Sequence, residues 1–141
     1  MSKKIIHVYL ICPVRNCSVE QKQFLDSYVA KLESKNYVVH YPPRDVDQSM
    51  DGNKICEAHR EYMIECDECH VYFDPASTGS HFDLGMAYVM QALHGTKIRL
   101  VNDLEKTPNK SYTNFLIELE RREKEKERVI KEQGGEECQS K

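Results

Sequence analysis

The sequence predicts an α/β fold, a doubly wound and mostly parallel sheet of four or five strands with helices on both faces. Three observations carry this. Short runs rich in β-branched and aromatic residues alternate along the chain with longer stretches of helical periodicity. The first run, KIIHVYLI, is apolar nearly throughout, as a strand buried on both faces must be. With 141 residues, 40% of them hydrophobic and 30% charged, the chain is long enough to bury one core and polar enough to stay globular.

The elements follow in order. Lys4 to Ile11 reads as the first strand, ended by Pro13. Ser18 to Lys35 reads as a helix, with Ser18 as N-cap and Phe24, Leu25, Tyr28 and Leu32 as its apolar stripe. Tyr37 to His40 is a short second strand. YPPRDVDQSMDGN follows as a loop, at about thirteen residues longer than most connections. Asn53 to Cys66 reads as a second helix and Cys69 to Phe73 as a third strand. Asp74 to Ser80 is a turn of small residues, His81 to Leu93 a third helix stopped by Gly95, and Lys97 to Val101 a fourth strand. Ser111 to Glu132 is a last helix whose outer half is continuously charged. The reading gives one domain over residues 1–133 and a frayed tail over 134–141, which opens on two glycines.

Composition excludes several classes. A net charge of −3 argues against a protein that coats nucleic acid. The apolar N-terminal run stops at Pro13 and Arg15 without a small-residue cleavage pattern, and no stretch is long enough to span a bilayer. The expected place is the cytoplasm, with no membrane partner and the six cysteines reduced.

CEAHREYMIECDECH, residues 56–70, packs three cysteines and two histidines together and raises the question of zinc. A structural zinc site needs four ligands converging as a tetrahedron, usually from paired CxxC knuckles. Cys66 and Cys69 straddle a helix-to-strand junction and no second pair follows. Cys69 and His70 point to opposite sides of a strand. The expectation is therefore no metal and no cofactor.

FDPASTGSHFDLGMAYV, residues 73–89, is the more specific signal. A strand ends, a turn of small residues follows, and a helix opens with Asp83 in its expected first turn, where the helix dipole favours negative charge. Backbone N–H groups there, with Ser77, Thr78 and Ser80, are suited to an anion or a sugar hydroxyl. The alternative is that Asp83 is only a favourable first-turn acid and Gly79 only a turn residue.

This segment resembles the signature of the nucleoside 2-deoxyribosyltransferase family, which includes the 2′-deoxynucleoside 5′-phosphate N-hydrolases. VYLICPVRN is similar to the family's first strand and substrate loop, and ICEAHREYMIECDECHVYF to its helix leading into the third strand. The resemblance runs from about Ile5 to Val101. It implies a flavodoxin-like fold and cleavage or exchange of the N-glycosidic bond of a 2′-deoxynucleoside or its 5′-monophosphate through a carboxylate nucleophile and a covalent glycosyl-enzyme. By position the nucleophile is Asp83, one methylene shorter than the family's glutamate. His59 falls where the family carries an aspartate that handles the leaving base; it is a general acid or a plain helix-surface histidine. Asp74 is the candidate to bond a sugar hydroxyl. Tyr9 and Arg15 would border the sugar or a 5′-phosphate, Ser77, Gly79 and Ser80 would contact the same side, and Tyr41 would stack on a base. The resemblance also implies a small nucleoside or nucleotide as ligand, no nucleic-acid polymer, and a homo-oligomer. The rival reading is a nucleotide-binding protein of the same fold without catalysis.

Overall fold

The computed structural model describes residues 3–139, with side chains through 134. The chain divides into two compact units, one ending at Asn102 and the other starting at Asp103.

The first unit carries β1 (His7–Ile11), α1 (Val19–Ser34), β2 (Val38–His40), α2 (Pro42–Asp45), α3 (Gly52–Glu65), β3 (Glu68–Val71), α4 (Thr78–His94) and β4 (Lys97–Leu100). The four strands form one parallel sheet in the order β2-β1-β3-β4. Strand order reverses between β1 and β3, because the chain first moves outward to β2 and then crosses back. Ligands of open parallel sheets settle at that reversal, outside the carboxyl ends of the strands.

Alternation along β1 divides the core. Val8, Leu10 and Cys12 cluster with Leu25 and Val29 of α1, and with Val39 and Tyr41. Tyr9 points the other way, into the layer where α3 and α4 pack on the sheet. Val8, Tyr9, Leu10 and Ile11 are all essentially sealed from solvent, as the apolar first run requires.

Local chemistry explains the helix ends. Ser18 and Gln21 form a reciprocal capping box at α1. Asn36, just beyond α1, takes a positive φ of 67°, a conformation asparagine tolerates better than most residues. Asp51 caps α3 by accepting from Lys54 N at 3.0 Å. Gly95 ends α4 in the left-handed region at φ 69°, as expected.

Within this unit, two elements differ from the sequence reading. Pro42 to Asp45 coils into one helical turn instead of loop, since prolines suit the first helical positions and Asp45 Oδ2 accepts from Tyr41 N at 2.8 Å. The helix after β3 starts at Thr78, three residues before His81, because Ser77 caps it. Asp83 therefore lies in the second turn, not the first, and the dipole argument for it weakens.

In the second unit, α5 spans Tyr112–Gln139. Ser111 Oγ accepts from Asn114 N at 3.1 Å, and the Asn114 amide binds the backbone of Thr107 and Asn109. Glu118 pairs with Arg121 and Arg122, and Arg128 with Glu125 and Glu132, along an exposed ridge. Such exposed pairs add only tenths of a kcal/mol each, roughly. The backbone stays helical past Gly134, where the sequence suggests a tail; residues 140 and 141 lie outside the described residues. No helix among the described residues is long and apolar enough to cross a membrane.

Candidate active site

Three of the residues singled out in the sequence converge. β1 places Tyr9 in the middle of the sheet, and its phenol donates to Asp83 Oδ2 at 3.1 Å. α3 brings His59 alongside, with Nδ1 3.4 Å from Asp83 Oδ1. The Tyr9 and His59 rings meet edge to face, 6.0 Å between centroids. Asp83 is 5% exposed, so each of its oxygens faces a protein partner. Burial, and then the Asp83 carboxyl group, push the Tyr9 phenol far above its ordinary range. Tyr9 thus remains a neutral donor that fixes the carboxyl group's orientation.

The histidine carries an open valence. His59 Nε2 is buried and has no hydrogen-bond partner among the described residues, and the same holds for His40 Nε2. Nearly all buried polar atoms in folded proteins are paired, so these two ring nitrogens are where a ligand contact is to be sought. His40 lies opposite Tyr9 in the β1–β2 register, 5.1 Å from it by centroid, and stacks on Tyr62 at 3.4 Å and 15°. Burial pushes its pKa down to about 4, so His40 is neutral near neutral pH.

The turn after β3 is held from both ends. Asn102 bonds both the N–H and the carbonyl of Phe73, at 2.8 and 2.9 Å. Asp74 then organises the turn itself. Its Oδ1 accepts from Ala76 N at 2.9 Å, its carbonyl from Ser77 N at 2.9 Å, and its Oδ2 from Gln21 Nε2 at 3.4 Å. Ser77 caps α4, accepting from Ser80 N at 3.3 Å, and the two serine hydroxyls bond each other at 2.8 Å. Ser80 is 1% exposed, so its hydroxyl serves the cap. Gly79 is exposed, and a Cβ there would meet nothing within 4 Å, so packing does not demand glycine. Arg15 is exposed in the loop after β1, beside Asn16, whose φ is 58°.

Tyr41 is placed otherwise than its expected stacking role needs. It is 4% exposed, its hydroxyl donates to Asp26 Oδ1 at 2.9 Å, and it belongs to the Val8–Leu10 cluster on the face away from Tyr9. Strand alternation decides this: His40 shares the Tyr9 face, so Tyr41 takes the other. The same alternation, applied to YVVH, was the signal that would have drawn His40 toward the site. Tyr62, one turn beyond His59 on α3, had a similar signal. The cysteine-rich segment disperses: Cys56 is exposed, Cys69 is core, and among the described residues no group of three or more His, Cys, Asp or Glu is arranged to hold a metal ion.

No protein-family model and no curated protein sequence matches the chain. Solved structures do. A CMP N-glycosidase from Clostridium botulinum, BcmB, superposes with a TM-score of 0.53 at 22% identity, covering 80% of this chain and 81% of that one. A 2-desoxiribosyltransferase from Leishmania mexicana superposes at 0.51 and 15% identity, covering 67% of this chain and 63% of that one. This chain has their fold. The Leishmania protein bears the name of the activity after which the family resembled by the segment from Asp74 to Ala87 is called. The chain spans less than two thirds of the Leishmania protein.

Proposed function

We propose that the protein cleaves or exchanges the N-glycosidic bond of a 2′-deoxynucleoside or its 5′-monophosphate, with Asp83 as nucleophile. The observation that carries the reading is the Tyr9–Asp83–His59 cluster, built from β1, α3 and α4 beside the strand-order reversal. That the two fold relatives are a CMP N-glycosidase and a 2-desoxiribosyltransferase supports the same class of bond.

In this reading an Asp83 oxygen attacks the anomeric carbon. The bond to the base nitrogen breaks, its electron pair leaves with the base, and protonated His59 supplies a proton. A glycosyl ester of Asp83 remains. Water or a second base then attacks the same carbon, His59 takes up the proton where one is released, and the carboxylate departs. Tyr9 positions Asp83 throughout, and donation from its phenol stabilises the carboxylate as it leaves. Arg15 is the candidate for a 5′-phosphate, since a guanidinium fork matches phosphate oxygens. Ser77 and Ser80 hold the adjoining turn through their cap, Asp74 orients it, and exposed Gly79 leaves room for the sugar or phosphate beside it.

A second reading has one observation in its favour. Asp83 is buried with both oxygens facing Tyr9 and His59, and it is one methylene shorter than the family's glutamate. A shortfall of about 1 Å in reach costs roughly a hundredfold in rate, which favours a nucleotide-binding protein that has lost turnover. Chromatography of bases released from deoxynucleosides and their 5′-monophosphates, for wild type and Asp83→Asn, separates the two. Binding without release from any substrate would reject the enzymatic reading. The homo-oligomer belongs to the same proposal. It is supported by Phe82, Val89 and Leu93, which stand 54–69% exposed along α4, and light scattering that found only monomer would remove it.

A further inference from the structure

Away from the Asp83 cluster, the structure brings two thiols together. Cys66 is the C-cap of α3 and Cys69 lies within β3, so only two residues separate them. Their Sγ atoms are 3.6 Å apart. A disulfide needs about 2.05 Å, so a closure of roughly 1.5 Å completes the bond.

The two sulfurs are not equivalent. Cys66 is half-buried and lines a cavity of about 410 Å³ with His7, His40 and Glu65. Cys69 is fully buried, its sulfur 3.1 Å from Met63 Sδ, so no reagent reaches it except through Cys66. Hydrogen bonding from Cys69 pulls the Cys66 thiol below its ordinary range against the opposing effect of burial, while the same contact and burial push Cys69 up. A reachable thiol that ionises more readily, backed by a sealed one, is the division of labour that thiol–disulfide exchange uses.

We propose that Cys66 and Cys69 form a reversible dithiol–disulfide site, oxidised by a low-molecular-weight disulfide that enters at Cys66. The Cys66 thiolate attacks one sulfur of the reagent, whose S–S bond breaks and releases one thiolate, protonated by the proton Cys66 gave up. Cys69 then loses its proton and attacks Cys66 Sγ, breaking the mixed disulfide and releasing the second reagent thiol. The protein loses two hydrogens, and one reagent disulfide becomes two thiols. Cys69 stands opposite Tyr9 in the β1–β3 register, so the bond pins the end of α3 to the strand beside that phenol. The site uses none of the groups assigned to glycosyl chemistry, so it stands or falls separately from that reading.

The test treats the folded full-length chain with oxidised glutathione, quenches in acid, alkylates the remaining thiols and maps the peptides by mass. The expected result is a glutathione-free Cys66–Cys69 link, lighter by two hydrogens and reversed by dithiothreitol, while exposed Cys56 carries glutathione. In Cys69→Ala, glutathione should stay trapped on Cys66. Cys66 still alkylatable, or still bearing glutathione, in wild type once Cys56 is fully modified would overturn the proposal. So would an unmodified Cys66 in the folded variant. If Cys69→Ala does not fold, the wild-type map alone decides.

Discussion

The sheet carries two clusters, one on each face, that share a tyrosine, a histidine and a carboxyl group; the first adds an arginine. On the α1 face, Tyr28 Oη lies 2.5 Å from His70 Nδ1, His70 Nε2 lies 3.3 Å from Glu68 Oε2, and Arg99 Nε stands 3.5 Å from Glu68 Oε1. On the α3–α4 face, Tyr9 and His59 both reach Asp83. In the first, the histidine is central and both ring nitrogens are engaged. Its bond to Glu68, with Arg99 nearby, holds that carboxyl group below its ordinary range. In the second, the carboxyl group is central, and the histidine keeps an unpartnered Nε2. A saturated cluster has nothing left to offer a ligand and acts as structure; an open one is where chemistry is to be sought.

The comparison is broken most sharply at the carboxyl groups. Asp83→Asn keeps the shape and removes the proposed nucleophile, so base release should fall by at least about a thousandfold with the fold intact by circular dichroism. Next comes His59→Gln. It should lower turnover by about a hundredfold, less for nucleosides whose bases leave easily, as loss of a general acid requires. Equal losses for good and poor leaving groups would remove that role from His59.

Tyr28→Phe probes the other cluster. It leaves buried His70 short of a partner and should cost about 1–3 kcal/mol in denaturant unfolding, with kcat/KM of the folded protein unchanged. A change in turnover without loss of stability would reverse the roles assigned to the two faces.

The mildest perturbation is a pH slope. His40 has its folded pKa depressed to about 4 from an ordinary 6.5. Between those values the unfolded chain binds a proton that the folded one refuses. Stability is therefore fully present above pH 6.5 and declines as the pH falls toward 4. His40→Gln should flatten that part of the profile in urea melts at stepped pH. An unchanged slope would mean that His40 titrates normally.

How far all this was legible in the sequence depends on the range of the interactions. The strand–helix alternation, the Ser18 cap, the Gly95 stop and the opposite directions of Cys69 and His70 are local, and they could be read directly. The start of α4 was hidden because Thr78, Gly79 and Ser80 are poor helix formers that read as turn, while one capping bond from Ser77 suffices to bring them in. Tyr41 read as loop, whereas its backbone is still extended and continues the alternation of β2, which turns its side chain to the face opposite His40. Alternation in YVVH gives His40 a face, but its place beside Tyr9, like that of His70 against Tyr28, comes from pairing and packing across the sheet. Asp83 and His59 came through resemblance; their 3.4 Å approach came only with the packing of α3 on α4.

The central claim is tested most directly by trapping the intermediate. Wild-type protein is mixed with deoxynucleosides or their 5′-monophosphates, quenched in acid within the first turnovers, digested and mass-mapped. The account predicts a deoxyribosyl adduct on the peptide bearing Asp83, absent in Asp83→Asn. Base release with no adduct, or release that persists in Asp83→Asn, would contradict it.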